Sequence, residues 1–296
     1  MLIARLIADP DTLAPRLEAA QAALHERGVR VAVAQMLDFC GETMQIGSPD
    51  DNAEAMRAVL SEHFAPSDAL VSWREPQPPA VFVSDMDSTM IGQECIDELA
   101  DYAGRKDEIA GITERAMRGE LDFEQALRER VRMLAGLPES AIADCLAERI
   151  VPEAGARTLV ETLKARGTRT ILVTGGFHAF AVPVARMLGF DEVVANRLAI
   201  VDGKLTGEVE GEIVTALTKR QTLLAVAEEA GEGAITLATG DGANDIPMLE
   251  AATYGIAYRA KPKARAAAAG WIERGDLSAI LQLLGIERSE WKSEVA

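Results

Sequence analysis

The stretch Val81-Phe82-Val83-Ser84-Asp85-Met86-Asp87-Ser88-Thr89 constrains this chain more than any other. A short run of β-branched and aromatic residues reads as a buried strand of a parallel sheet. It ends on two acids one residue apart. In open α/β sheets ligands bind beyond the carboxyl ends of the strands, which is where Asp85 and Asp87 fall. Two carboxylates so close repel each other unless a cation sits between them, so a divalent metal is the first inference. An EF-hand calcium loop also begins Asp-x-Asp, but it needs Gly at its sixth position and Glu at its twelfth. Here those positions hold Met90 and Ile96, and the calcium reading fails. A metal-assisted site and a strand ending in a solvated acidic turn remain.

Two later stretches favour the metal-assisted site. Residues 170–173 form a second buried strand pattern, running into Thr174-Gly175-Gly176 and a helical segment over 177–188. A hydroxyl and two glycines opening a helix present bare N–H groups and the positive dipole end to an anion. Residues 235–238 give a third strand, followed by Thr239-Gly240-Asp241-Gly242-Ala243-Asn244-Asp245. Acids again follow a strand, with glycines that let the backbone approach a ligand.

With these residues in view the chain resembles the haloacid dehalogenase superfamily, and within it the phosphoserine phosphatase family. Asp85-Met86-Asp87-Ser88-Thr89 is similar to that family's first motif, and Thr174-Gly175-Gly176 to its second. Lys219 matches the third, and Gly240-Asp241-Gly242-Ala243-Asn244-Asp245 the fourth. The four in order are more specific than any one, and the resemblance runs from about residue 81 to about 284. Thr174 departs from the Ser that many members carry, but keeps the hydroxyl.

The resemblance implies an α/β fold, with a Rossmann-like core on a parallel sheet and an inserted helical cap. It also implies Mg²⁺-dependent hydrolysis of O-phospho-L-serine to serine and phosphate through an aspartyl-phosphate, the last step of serine biosynthesis. In that scheme Asp85 is the nucleophile and Asp87 the general acid and base. Asp85, Asp241 and the backbone carbonyl of Asp87 hold the metal, while Asp245 holds metal waters or Lys219. Thr174, Gly175, Lys219 and Asn244 hold the phosphate oxygens. Arg130 takes the substrate's carboxylate, Glu94 its amino group, and Met117 and Phe123 line the pocket.

The rest of the chain divides at Glu75-Pro76-Gln77-Pro78-Pro79, a stiff extended linker. Residues 1–76 form a small α+β N-terminal domain, and residues 80–296 the catalytic core with a cap at about 92–150. In the first part we expect a strand over 2–7 and a helix over 11–26. Alternating Val29, Val31 and Val33 suggest a strand, followed by a helix over 52–63 and a strand near 70–73. This unit loosely resembles the ACT domains, but it reads first as a structural or dimerisation module, which leaves a homodimer open. In the cap, Asp122 and Gln125 resemble a capping box that starts a helix. Arg130 falls on the apolar stripe of Phe123, Ala126, Leu127, Val131 and Leu134, where an inward guanidinium needs an anion.

A net charge of −17 and a pI near 4.7 argue against nucleic acid or an anionic membrane as partners. No apolar run reaches the ~18 residues that span a bilayer, and no basic-then-apolar leader is present, so a cytoplasmic protein is expected. Cys40, Cys95 and Cys145 show no metal or disulfide spacing. His25, His63 and His178 form no ligand set. Three rival readings are another phosphatase or phosphotransferase for a small phosphate ester, a nucleotide-binding module, and a non-catalytic amino-acid sensor. The second lacks any Gly-x-x-x-x-Gly-Lys-Ser/Thr, and the third sits poorly with the intact acidic set.

Overall fold

The computed structural model describes residues 1–37, 42–117 and 120–292; the side chains of Glu114, Ala116 and Met117 and all of Cys40 lie outside it. The chain begins with β1 (Leu2–Ile7), buried along its whole length. Helix α1 (Pro10–Glu26) starts where the Asp9 carboxylate accepts the Asp11 N–H. Pro10 stands in its first turn, where its missing N–H costs nothing. Then come β2 (Val33–Met36), β3 (Thr43–Ser48), α2 (Ala53–Phe64) and β4 (Asp68–Ser72). The four strands pair antiparallel in the order β2-β3-β1-β4. The strand expected across Val29, Val31 and Val33 starts only at Val33. Val29 is 1 % exposed and packs into the core instead of alternating.

The core opens with β5 (Val81–Ser84). The inserted cap carries α3 (Cys95–Tyr102), α4 (Lys106–Met117), α5 (Phe123–Arg132) and α6 (Ser140–Arg149). The Asp122–Gln125 capping box does start α5: the Asp122 carboxylate accepts the Gln125 N–H at 2.8 Å, and the Gln125 amide oxygen takes the Asp122 N–H at 3.2 Å. The body resumes with α7 (Ala156–Ala165), β6 (Arg169–Phe177), α8 (His178–Leu188), β7 (Glu192–Val201) and β8 (Lys204–Glu210). The β7–β8 turn, Asp202-Gly203, has positive φ at both residues (50° and 72°), matching the right-handed strand twist. After it follow α9 (Ala216–Ala230), β9 (Thr236–Gly240), α10 (Ile246–Ala251), β10 (Tyr254–Tyr258), α11 (Pro262–Ala267), β11 (Gly270–Ile272) and α12 (Ala279–Leu283).

Among the described residues eleven strands make one sheet, in the order β2-β3-β1-β4-β11-β10-β9-β5-β6-β7-β8. From β11 to β7 all pairings are parallel. From β5 the chain runs outward to β6 and β7 on one side, then returns to β9, β10 and β11 on the other. The strand order therefore reverses between β5 and β9, and such a switch point leaves a crevice at the carboxyl ends.

The N-terminal strands join this sheet through β4, which pairs antiparallel with β11 (Leu70 opposite Gly270). The Asp68 carboxylate accepts the N–H groups of Glu273, Arg274 and Gly275. Arg5, 2 % exposed, donates to the Leu283 carbonyl at 3.0 Å and pairs with Glu75. The Pro-rich connection lies along the body, with Pro76 and Pro79 buried and Gln77 N–H donating to the Tyr254 hydroxyl. No helix among the described residues is long and apolar enough to cross a membrane.

Candidate active site

Three strand ends converge on one cavity of about 460 Å³, with the cap above it. From β5 comes Asp85, 4 % exposed. Its Oδ1 accepts the Met86 N–H at 2.8 Å and lies 2.7 Å from Lys219 Nζ. Oδ2 has no hydrogen bond among the described residues, so one oxygen is anchored and the other is free to react. Burial and the neighbouring Asp245 charge push the Asp85 carboxyl well above its usual range, and Lys219 only partly offsets them.

Lys219 comes from the second turn of α9, which Thr215 caps. Its ammonium is 1 % exposed and bridges Asp85 Oδ1 and Asp245 Oδ1, both at 2.7 Å. Burial opposes that charge, but the two carboxylates outweigh it and hold the ammonium above its ordinary pKa. The other oxygen of Asp245, Oδ2, accepts the N–H groups of Asp241 (3.1 Å) and Gly242 (3.0 Å). Asp245 tucks in because Gly240 has no side chain: a Cβ there would lie 2.4 Å from the Asp245 carboxyl carbon. Both oxygens of Asp245 are thus committed.

Asp87 sits two residues beyond Asp85, its Oδ1 accepting the Cys95 N–H at the start of α3, at 3.4 Å. Burial, then the charge of Glu94, raises its carboxyl to about 7. It therefore holds a proton part of the time near neutrality, as a general acid must. Gly176 permits this position, since a Cβ would stand 2.9 Å from Asp87 Oδ2 and 3.1 Å from the Thr174 hydroxyl.

The glycine segment departs from expectation. Thr174-Gly175-Gly176 does not open the helix: it extends β6 as far as Phe177, and α8 begins at His178. The reason lies on β7, where Asn196 is opposite Phe177 and its amide donates to the Gly175 carbonyl at 2.7 Å. The Asn196 side-chain oxygen Oδ1 accepts the Val214 N–H at 2.8 Å, fastening the approach to α9 as well. Asn196 is buried and escaped the sequence reading; one Asn ending the apolar run Val193-Val194-Ala195 was its only signal.

Carboxylate oxygens of Asp85, Asp241 and Asp245 lie within 4.8 Å of one another. Such a buried acidic group fits a hard divalent cation, with Asp85 and Asp241 to hold it, because both Asp245 oxygens are committed to Lys219 and to backbone N–H groups. Burial raises the Asp241 carboxyl, and Lys261, 3.2 Å from its Oδ2, works the other way. Asp87's carboxylate stands outside this group. Lys261 was not singled out from the sequence.

On the cap side the cavity is lined by Glu94, Phe123 and Arg130, with Thr174, Gly175 and Asn244 on the core side. Phe123 reaches down to Gly175, where a Cβ would lie 3.2 Å from the ring. Glu94 accepts the Ser88 hydroxyl at 2.8 Å. The Arg130 guanidinium is half-buried and forms no ion pair among the described residues; its Nε donates to the Ala126 carbonyl at 3.4 Å. Burial lowers its pKa against the pull of Asp97, Glu94 and Asp87. Met117 ends α4, and its side chain lies outside the described residues.

A family model described as haloacid dehalogenase-like hydrolase matches residues 82–250. A phosphoserine phosphatase of Streptococcus thermophilus is 48% identical over 205 residues, 69% of this chain and 95% of that protein. One of Streptomyces coelicolor is also 48% identical, over 210 residues, 70% of this chain but only 51% of its own length. This chain thus spans about half of one relative and nearly all of the other. The crystal structure of a probable phosphoserine phosphatase from Vibrio cholerae, 33% identical, superposes with a TM-score of 0.75, covering 98% of this chain and 88% of that one.

Proposed function

The chain belongs to the haloacid dehalogenase-like hydrolases, and we propose that it acts among them as a phosphoserine phosphatase, releasing phosphate from O-phospho-L-serine. The observation that carries this reading is one cavity with two chemistries. At its floor lie Asp85 and Asp87, with the buried Lys219 ammonium paired to Asp85 behind them; at its roof the Arg130 guanidinium has no ion-pair partner among the described residues and shares the lining with Glu94. A phosphate at one end and an α-amino acid's carboxylate and ammonium at the other satisfy both. An ester lacking the amino-acid end would leave a half-buried guanidinium without an anion.

Mg²⁺ held by Asp85 and Asp241, and by the Asp87 backbone carbonyl, would offset charge on the phosphate oxygens. The protein's own groups then account for the steps. Lys219 and the Met86 N–H hold Asp85 Oδ1, so Oδ2 attacks phosphorus as the bond to the serine oxygen breaks. Asp87, protonated on the leaving-group side, gives its proton to that oxygen. As a carboxylate it then takes a proton from the water that attacks the aspartyl-phosphate, freeing Asp85 and phosphate; such acid–base help contributes ~10²–10⁴-fold. The Thr174 hydroxyl, the Gly175 N–H and the Asn244 amide face the remaining phosphate oxygens. Asp245 keeps Lys219 in place. We assign the protein to the cytoplasm, where the buried thiols of Cys95 and Cys145 stay reduced.

The test is substrate-dependent loss in Arg130→Ala. Removing one charge-assisted contact costs ~1.5–3 kcal/mol, or roughly 10–100-fold in kcat/KM, on phosphoserine. An aryl phosphate without a carboxylate should lose less than about threefold, on the same ground that it never made the contact. Equal losses on both substrates would make Arg130 structural and remove the amino-acid reading.

A further inference from the structure

Lys261 has no part in the scheme above, yet it lines the same cavity as Asp85, Asp87 and Asn244. It follows β10 and caps α11, where Pro262 fixes the next turn. Its backbone N–H donates to the Asp241 carbonyl at 2.9 Å, and its ammonium lies 3.2 Å from Asp241 Oδ2. One residue therefore grips Asp241 at both main chain and side chain. The backbone bond fixes where the lysine stem starts, and the rest of the side chain is open to solvent: the Lys261 side chain is 64% exposed against 10% for Asp241.

Lys219 cannot do this job. It is spent on Asp85 and Asp245 and forms no ion pair with Asp241. Lys219 pairs with Asp85 and Asp245, so Lys261 is the ammonium left to face Asp241. A divalent cation entering at Asp241 meets that ammonium first. The two positive charges cannot share the carboxylate without repulsion, so the lysine must turn away into solvent or cavity, which its exposed stem allows.

We propose that Lys261 is a tethered counterion of the metal site, occupying Asp241 in the metal-free protein and weakening Mg²⁺ binding by competition. This rests on reading Asp85 and Asp241 as metal ligands. Its consequence is that metal affinity is set partly by a residue that is no ligand, and that it depends on ionic strength.

Calorimetric titration of the full, EDTA-stripped and dialysed chain with Mg²⁺ alone tests this, without substrate or turnover. One unit charge beside a divalent ion, at the near-aqueous dielectric an exposed ammonium sees, changes affinity by about tenfold. Lys261→Met and Lys261→Gln should bind Mg²⁺ about tenfold more tightly than wild type, on that same arithmetic, while Lys261→Arg stays within about twofold. The gap should shrink between 20 mM and 500 mM KCl as the exposed charge is screened, values chosen to span Debye lengths of roughly 20 Å to 4 Å. Equal or weaker affinity in both neutral variants, with wild type binding normally, overturns the role of Lys261 alone. Absence of any Mg²⁺ binding to wild type overturns the metal site itself, and the proposal with it.

Discussion

Replacing Lys219 by Met removes a buried ammonium and keeps an unbranched side chain of similar bulk, so packing changes little. What changes is electrostatic. Lys219 is 1 % exposed and holds Asp85 and Asp245 at 2.7 Å each, and both acids are buried too. Breaking a buried pair by deleting one partner costs about 3–5 kcal/mol, since the survivor keeps its charge without compensation. Here two survivors remain, but each retains backbone donors: Met86 N–H for Asp85, and the Asp241 and Gly242 N–H groups for Asp245. We therefore expect a loss of about 4 kcal/mol at pH 8, the middle of that range. The sign with pH follows from Asp85. Its folded pKa is already raised by burial and Asp245, and without the ammonium it rises further. Stability is lost as pH climbs through that folded value and returns as pH falls and Asp85 takes up a proton. Asp87, at about 7, titrates in both proteins and largely cancels from the difference. The measurement is guanidinium unfolding in EDTA, at pH 8 and pH 5.5, with a smaller gap expected at the lower pH. A loss below about 1 kcal/mol at pH 8, the size of a surface ion pair, would refute the reasoning, as would a gap that does not change with pH.

Two further outcomes are expected. Acid-quenched enzyme mixed with phosphorus-labelled phosphoserine should carry hydroxylamine-sensitive label on wild type or Asp87→Asn, and none on Asp85→Asn. Label on none of the three, while wild type releases phosphate within that turnover, would point to direct attack by water. A chain beginning at Pro78 should keep phosphoserine hydrolysis, because every group assigned to the chemistry lies after that residue. It should lose about 3 kcal/mol of stability or more, since Asp68 no longer caps the turn at Glu273–Gly275 and β11 loses its antiparallel neighbour. A folded but inactive product would mean that the N-terminal strands shape the site.

Much of the cavity floor was legible because the residues that form it are local in sequence. Asp85 and Asp87, Thr174 to Gly176, and Asp241 to Asp245 each follow a recognisable apolar strand. A strand end is where a parallel sheet delivers side chains. The Asp122–Gln125 box was readable for the same reason, as it depends on neighbours a few residues away. Short or mixed segments were harder. β11 is three residues long, and β3, with Thr43, Gln45 and Ser48 among its six, has no apolar run to mark it. Its polar residues are covered by contacts from elsewhere, including Arg5 on Gln45.

The sequence by itself determined which residues carry charge to the ends of which strands, because periodicity and turn chemistry act over a handful of positions. Only the tertiary structure decided what those charges meet. Lys219 reaches Asp245 across 26 positions, Asn196 reaches Gly175 across 21, and Arg5 reaches Leu283 across 278. Lys261 looked like any surface lysine until the sheet order set β10 beside β9, and with it Lys261 beside Asp241. Pairing of β4 with β11 likewise joins segments about 200 positions apart that carry no mutual signal. A buried charge is costly wherever it lies, so its partner must exist. Only the folded chain's geometry says which of the many candidates it is.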